Sequence, residues 1–159
     1  MSKTNYPLEK ISWEKVEELS YNIAQKIKKD NLCIDTIVPI LRGGMPVSLL
    51  LSSMLKVENM ACIHIRRSKD DNPNTEFNDP VNKGITNKEA ITNAHILIVD
   101  DTLDSKKTLE YAISLLEEYK PLSINVAILY NFNKDTFNTI YSGEEVKEYK
   151  WVVFPWEEK

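Results

Sequence analysis

The chain has 159 residues, enough for one domain with a sizeable core. With 42% hydrophobic and 28% charged residues, it has the composition of an ordinary globular protein, not a disordered or fibrous one. A formal net charge of −4 and the lack of any Lys/Arg run argue against nucleic acid as a partner.

Other classes fall away on residue usage. Two cysteines, Cys33 and Cys62, are too few for a disulfide scaffold and lie in apolar runs, where small buried side chains are expected. Together with His64 and His95 they show no metal-ligand spacing. Residues 1–10 are polar and no run reaches membrane-spanning length, so a cytoplasmic protein with no membrane partner is expected. Glycine is scarce. Only Gly43, Gly44, Gly84 and Gly143 occur, against a usual share of about 7%, and two of them are adjacent.

In chain order, Ser12 can cap a helix with Glu14 in its first turn, and Val16, Leu19, Ile23 and Ile27 follow at helical spacing. The run Thr36-Ile37-Val38-Pro39-Ile40 is a short strand, although Pro39 argues against a central position. It ends at Arg42-Gly43-Gly44, and Pro46 suits the first turn of a helix through Leu55. Residues 61–65 form a strand. Residues 66–95 are charged, Asn-rich and poor in large apolar side chains, as expected of a mobile lid, with a short hairpin as an alternative. Ile96-Leu97-Ile98-Val99 is a buried strand closed by Asp100-Asp101, and residues 108–118 are helical. Residues 126–130 and 151–154 supply two further strands. Apolar strands alternating with helices predict an α/β fold with a parallel sheet covered on both faces. Ligands of such sheets bind beyond the carboxyl ends of the strands.

Three segments carry candidate chemistry. In Asp100-Asp101-Thr102-Leu103-Asp104-Ser105-Lys106-Lys107-Thr108, three carboxylates follow a buried strand and a hydroxyl-bearing turn opens a helix. Helix N-termini hold phosphates, and adjacent carboxylates suit ribose hydroxyls or a hard cation. The same residues could equally end a strand and cap a helix. The Arg42-Gly43-Gly44 turn is either a tight bend or an anion loop. In Trp151-Val152-Val153-Phe154-Pro155-Trp156-Glu157, the tryptophans could serve packing or a planar ligand. Arg66, Arg67 and Lys69 follow a strand and could meet phosphate or only solvate a loop.

The 100–108 segment resembles the phosphoribosyl-pyrophosphate (PRPP) motif of type I phosphoribosyltransferases, in which two acids and a spacer precede Asp-Thr-Gly-x-Thr. Asp100, Asp101, Asp104 and Thr108 match, Ser105 replaces Thr, and Lys106 stands where the family has glycine. The C-terminal segment is similar to the Trp-Ile-x-x-Pro-Trp-Asp/Glu ending of bacterial and archaeal 6-oxopurine enzymes of that family, the xanthine-guanine and hypoxanthine phosphoribosyltransferases.

The resemblance implies a single domain over 1–159 with a twisted, mainly parallel sheet flanked by helices. A small hood (146–159) would cover the base and 66–95 would be the lid. It further implies that Asp100 and Asp101 hold the ribose hydroxyls directly or through Mg²⁺, while residues 104–108 cradle the 5′-phosphate. Arg42 and Gly43 would bind pyrophosphate, with unusual backbone geometry at the Arg42–Gly43 link. Trp151 would stack on a purine whose edge meets the Val152 backbone, braced by Pro155 and Trp156, and Asp104 would act as the base. The family's purine-contacting lysine is missing, and Asn131 falls at its place, as a base contact or merely a turn residue. The implied activity is transfer of the 5-phosphoribosyl group from PRPP to a purine by a homodimer or homotetramer. Lys106 and Asn131 leave a second possibility, a nucleotide-binding protein of the same fold with weakened catalysis.

Overall fold

The structure is a computed structural model that describes residues 7–68, 77–133 and 140–157. Among the described residues, nine strands and three α-helices follow one another as β1 (Leu8–Lys10), α1 (Trp13–Lys29), β2 (Thr36–Leu41), α2 (Gly44–Leu55), β3 (Asn59–Met60), β4 (Ile63–Ser68), β5 (Phe77–Ile85), β6 (His95–Leu103), α3 (Lys107–Glu117), β7 (Ser123–Asn131), β8 (Ile140–Glu145) and β9 (Trp151–Val153). The main sheet has the order β5-β4-β2-β6-β7-β8, with β3 beside β2. All its pairings are parallel except β4–β5.

The apolar strands are continuous because both faces are covered. Leu97, Val99, Ala127 and Leu129 pack with Val16, Leu19 and Ile23 of α1 and Val47 and Leu51 of α2. Ile96, Ile98, Val126 and Ile128, one residue out of phase, pack with Leu109, Ala112 and Leu116 of α3. That is the period-two alternation of a strand, filled on each side. Helix α1 starts where Ser12 accepts a hydrogen bond from the Lys15 N–H, and it buries Val16, Leu19, Ile23 and Ile27 as their spacing requires.

Pro39 does lie in a central strand. On one side it is in register with Val99 of β6. On the other, β2 pairs with β3 at Thr36 and Ile37 and with β4 only from Ile40. Pro39 therefore falls where β2 changes partner, and its missing N–H leaves no gap in either ladder.

Much of the expected lid is ordinary sheet. Residues 77–85 form β5, antiparallel to β4 with Ile63 opposite Ile85. Lys88–Ala90 form one turn of 3₁₀ helix, and Ile91 is fully buried. This stretch lacks apolar alternation because β5 is an edge strand, and charge, Pro80 and Gly84 are the residues edges favour. Gly84, at φ +142, lies beside a bulge between His64 and Ile65. Residues 69–76 of the predicted lid lie outside the described residues.

Strand β1 pairs in parallel with β9, tying the N-terminal segment to the expected hood. An aromatic ladder fixes the hood to the body. Trp13 meets Trp156 at 5.7 Å between centroids, Trp156 stacks on Phe154 at 4.6 Å, and Phe154 meets Tyr130 edge-on at 6.1 Å. Lys150 adds an ionic tie to Glu9 of β1 and Glu144 of β8. Neither cysteine is buried as expected: Cys33 is exposed and Cys62 partly so. Among the described residues, no helix is long and apolar enough to cross a membrane.

Candidate active site

At the carboxyl ends of β6 and β7, under β9, lies a cavity of about 250 Å³. Its lining includes Asp100, Asp101, Thr102, Leu103, Asp104, Ser105 and Thr108 on one wall and Trp151 and Val152 on the other. Two sequence segments separated by more than forty residues thus face each other across one space. Lys106 and Lys107 belong to the same turn but do not line the cavity.

Strand β6 runs to Leu103 and so carries the two acids within it. Asp100 shares the parity of Ile96 and Ile98, and Asp101 that of Leu97 and Val99, so the carboxylates leave the strand toward opposite faces. Asp100 Oδ1 accepts the Asp101 N–H at 2.9 Å, and Asp101 Oδ1 accepts the Thr102 hydroxyl at 3.3 Å. Burial pushes the Asp100 carboxyl well above its ordinary range, and the Asp101 charge adds to this. Burial likewise pushes Asp101 up to about 6, with Glu157 of the hood contributing. Loss of hydration is the leading cause at both carboxyls, and the charge of a neighbouring acid adds to it.

This has a measurable sign. Between about pH 4 and pH 6, the folded protein keeps a proton on Asp101 that the unfolded chain has lost, so raising the pH favours unfolding. The penalty is complete above about pH 6 and amounts to at most about 3 kcal/mol for this one group. In metal-free buffer, Asp101→Asn is expected to be the more stable protein at about pH 7. It should also show a flatter dependence of melting temperature on pH. Parallel curves for the two proteins would reject this account.

The turn after β6 is held by the Asp104 carboxylate, which accepts the Ser105 N–H. Lys106 sits at the N-cap of α3 with φ −71 and ψ −15, an ordinary right-handed conformation. The backbone here needs no glycine, so the departure from the family motif is sterically accommodated. Arg67 of β4 donates to the Ser105 hydroxyl at 2.5 Å and brings a cation to the turn. It is one of the basic residues expected either to meet phosphate or only to solvate a loop.

The Arg42-Gly43-Gly44 turn does not line the cavity, yet it abuts it. A Cβ on Gly43 would land on the Asp101 carboxylate, and one on Gly44 on the Val99 carbonyl oxygen. Gly43 is the N-cap of α2. The peptide bond between Leu41 and Arg42 is cis, one link upstream of the position the resemblance implies.

On the opposite wall, the Trp151 N–H donates to the Pro7 carbonyl, and the Val153 carbonyl accepts from the Ile11 N–H. Alternation in a parallel ladder then directs the Val152 N–H and C=O away from β1. Trp151 is partly exposed, lines the cavity and takes no part in the aromatic ladder that secures the hood.

Asn131 is not brought to the cavity. Strand β7 extends through it, and its side chain is buried, donating to Ser142 Oγ at 3.2 Å and accepting the Asn133 N–H at 3.0 Å. Its amide is committed to β8 and the following turn. Phe132, Tyr149, Lys150 and Glu157 also line the cavity, and the first three carry no motif that would reveal them. Only the acid at 157, at the end of the hood segment, has a counterpart in the family pattern.

Cavity, acidic strand end and helix N-terminus come together at the switch region of an α/β sheet. A family model described as the phosphoribosyl transferase domain matches residues 8–159, and the chain belongs to that family, with its type I fold. It is similar to the xanthine-guanine phosphoribosyltransferase of Cereibacter sphaeroides, with 27% identity over 98% of this chain and 92% of that one. Among solved structures, it resembles a purine phosphoribosyltransferase from Pyrococcus horikoshii, with a TM-score of 0.76, 25% identity, and 96% and 95% of the two chains covered. It also resembles a Neisseria gonorrhoeae protein solved with bound ppGpp, with a TM-score of 0.82, 18% identity, and 96% and 90% covered.

Proposed function

We propose that the protein is a purine phosphoribosyltransferase of the salvage type. It transfers the 5-phosphoribosyl group of PRPP to a 6-oxopurine and yields a nucleoside 5′-monophosphate and pyrophosphate. The observation that carries this reading is the shared cavity, with Asp100–Ser105 and Thr108 on one wall and Trp151 and Val152 on the other.

Each part has a physical role. The N–H groups opening α3, with the Ser105 and Thr108 hydroxyls and Arg67, receive the 5′-phosphate. The ring of Trp151 covers one face of the purine, and the outward Val152 N–H and C=O meet its edge. As the base nitrogen N9 bonds to C1, the C1–O bond to pyrophosphate breaks and positive charge grows on the ribose ring. The carboxylates beneath it oppose that charge. Asp104 accepts the purine proton on the N7 side. Arg42 and the N-terminus of α2 face the departing pyrophosphate.

The donor set also fits Mg²⁺. Asp100 and Asp101 offer only oxygen, and besides being desolvated each feels the negative charge of another acid, which a hard cation would relieve. Bound there with PRPP, the ion would neutralise charge on the pyrophosphate leaving group.

The test mixes the protein with Mg²⁺, PRPP and, separately, hypoxanthine, guanine, xanthine and adenine, and follows pyrophosphate release. Turnover is expected with at least one 6-oxopurine. Trp151→Ala should raise the KM for that base by about 10- to 100-fold, the value of one lost stacking contact, with a smaller effect on the KM for PRPP. Nucleotide binding by calorimetry without turnover on any base would overturn the assignment in favour of a binding protein.

A further inference from the structure

At the end of the sheet opposite the cavity, three side chains able to ligate a metal come together. Cys33 and Asp35 precede β2, and His95 is the first residue of β6; one donor atom from each lies within 4.8 Å of the other two. Strand β6 runs from His95 to the acids at 100–101, so this group is about 20 Å from the cavity. No sequence spacing announces it, because Cys33 and His95 lie on different strand lead-ins that the parallel pairing of β2 and β6 makes adjacent.

Two of the three groups are already fixed. The Asp35 N–H donates to the His95 carbonyl at 2.8 Å, and the His95 N–H donates to Asp35 Oδ2 at 2.8 Å. Asp35 Oδ1 remains for an ion. The other anchor is Ser123, whose Oγ lies 2.8 Å from His95 Nδ1. With Nδ1 donating there, Nε2 carries the lone pair, which is the arrangement that orients imidazole ligands in metal proteins. Cys33 is exposed, and its sulfur already lies within 4.8 Å of a donor atom of each of the other two.

We propose that Cys33, Asp35 and His95 form a Zn²⁺ site. The donors decide the class of ion. Thiolate and imidazole favour a borderline-soft divalent metal over Mg²⁺ or Ca²⁺. Three protein ligands leave one tetrahedral position for water. On binding, the Cys33 thiol releases its proton to solvent and sulfur bonds to the ion. The ion then ties the segment before β2 to the start of β6, remote from the transferase chemistry.

The test uses the full chain, stripped of metal, in buffer with excess Mg²⁺ to fill oxygen-only sites. Titration with Co²⁺ is expected to give one ion per chain with a thiolate-to-cobalt charge-transfer band, which Zn²⁺ abolishes by displacement. Cys33→Ser should lose the band and weaken Zn²⁺ binding by at least about tenfold, as should His95→Gln, while Cys62→Ser changes neither. Cys33 is exposed, so its serine variant decides the matter even if His95→Gln does not fold. Absence of the band in the native protein, or its survival in Cys33→Ser, overturns the site.

Discussion

Asparagine at position 104 is expected to lower turnover by about 10²–10⁴-fold, the range of a lost general base, with nucleotide affinity changed by less than about tenfold. The reason for this split lies in the turn. Asp104 both lines the cavity and accepts the Ser105 N–H. Asparagine keeps an oxygen for that hydrogen bond, so the approach to α3 and the phosphate cradle survive. What it loses is the ability to take a proton from the purine and one negative charge facing the ribose. Turnover with PRPP and the preferred base, set beside calorimetric affinity for the product nucleotide, measures the two effects separately. Losses of equal size in both would show that Asp104 holds the ligand and does not assist transfer.

The sequence was most readable where one strong signal decided the structure. Five strands (β2, β4, β6, β7 and β9) and the three helices are visible because their apolar residues must face a covering layer, and the parity of Ile96 to Val99 already contains both faces of the sheet. The missing strands β1, β3, β5 and β8 lie at edges or in short pairings, where half of each strand faces solvent and apolar periodicity is weak. Pro39 misled because propensity speaks of a residue alone, whereas its tolerance depends on where β2 exchanges β3 for β4.

The same division holds for the site. Asp100, Asp101, Asp104 and the Trp151-Val152 pair are contiguous motifs and can be recognised as such. Phe132 and Tyr149 reach the cavity only through tertiary packing. Asn131 shows the converse failure. Counting along the chain puts it at a family position, but one further residue of strand turns its amide toward Ser142. The Cys33, Asp35 and His95 group is invisible for a related reason, since only strand pairing brings it together.

Alanine at Gly43 and alanine at Gly44 are expected to fail in opposite ways, although the residues are neighbours and each substitution adds one methyl group. At Gly44 the new Cβ would collide with the carbonyl oxygen of Val99 and lie 3.3 Å from the Asp100 Cα. These are backbone atoms of the central strand and cannot rotate aside. Helix α2 would have to lift from β6, so Gly44→Ala should cost about 1–3 kcal/mol in denaturant unfolding, as overpacking does. At Gly43 the obstacle is the end of the Asp101 side chain, which can turn away. Stability should therefore change by less than about 1 kcal/mol, whereas the carboxylate leaves the place from which it meets the ribose or its cation. Losing one such charge-assisted contact corresponds to a rise in the KM for PRPP of about 10- to 100-fold. A Gly43→Ala protein that binds PRPP normally would separate the glycine turn from the acids of β6. A stable Gly44→Ala protein would show that α2 packs less closely on the sheet than Val99 implies. The scarcity of glycine in this chain then has a local meaning, because half of it is placed where a helix start, a strand backbone and a functional carboxylate leave no room for a side chain.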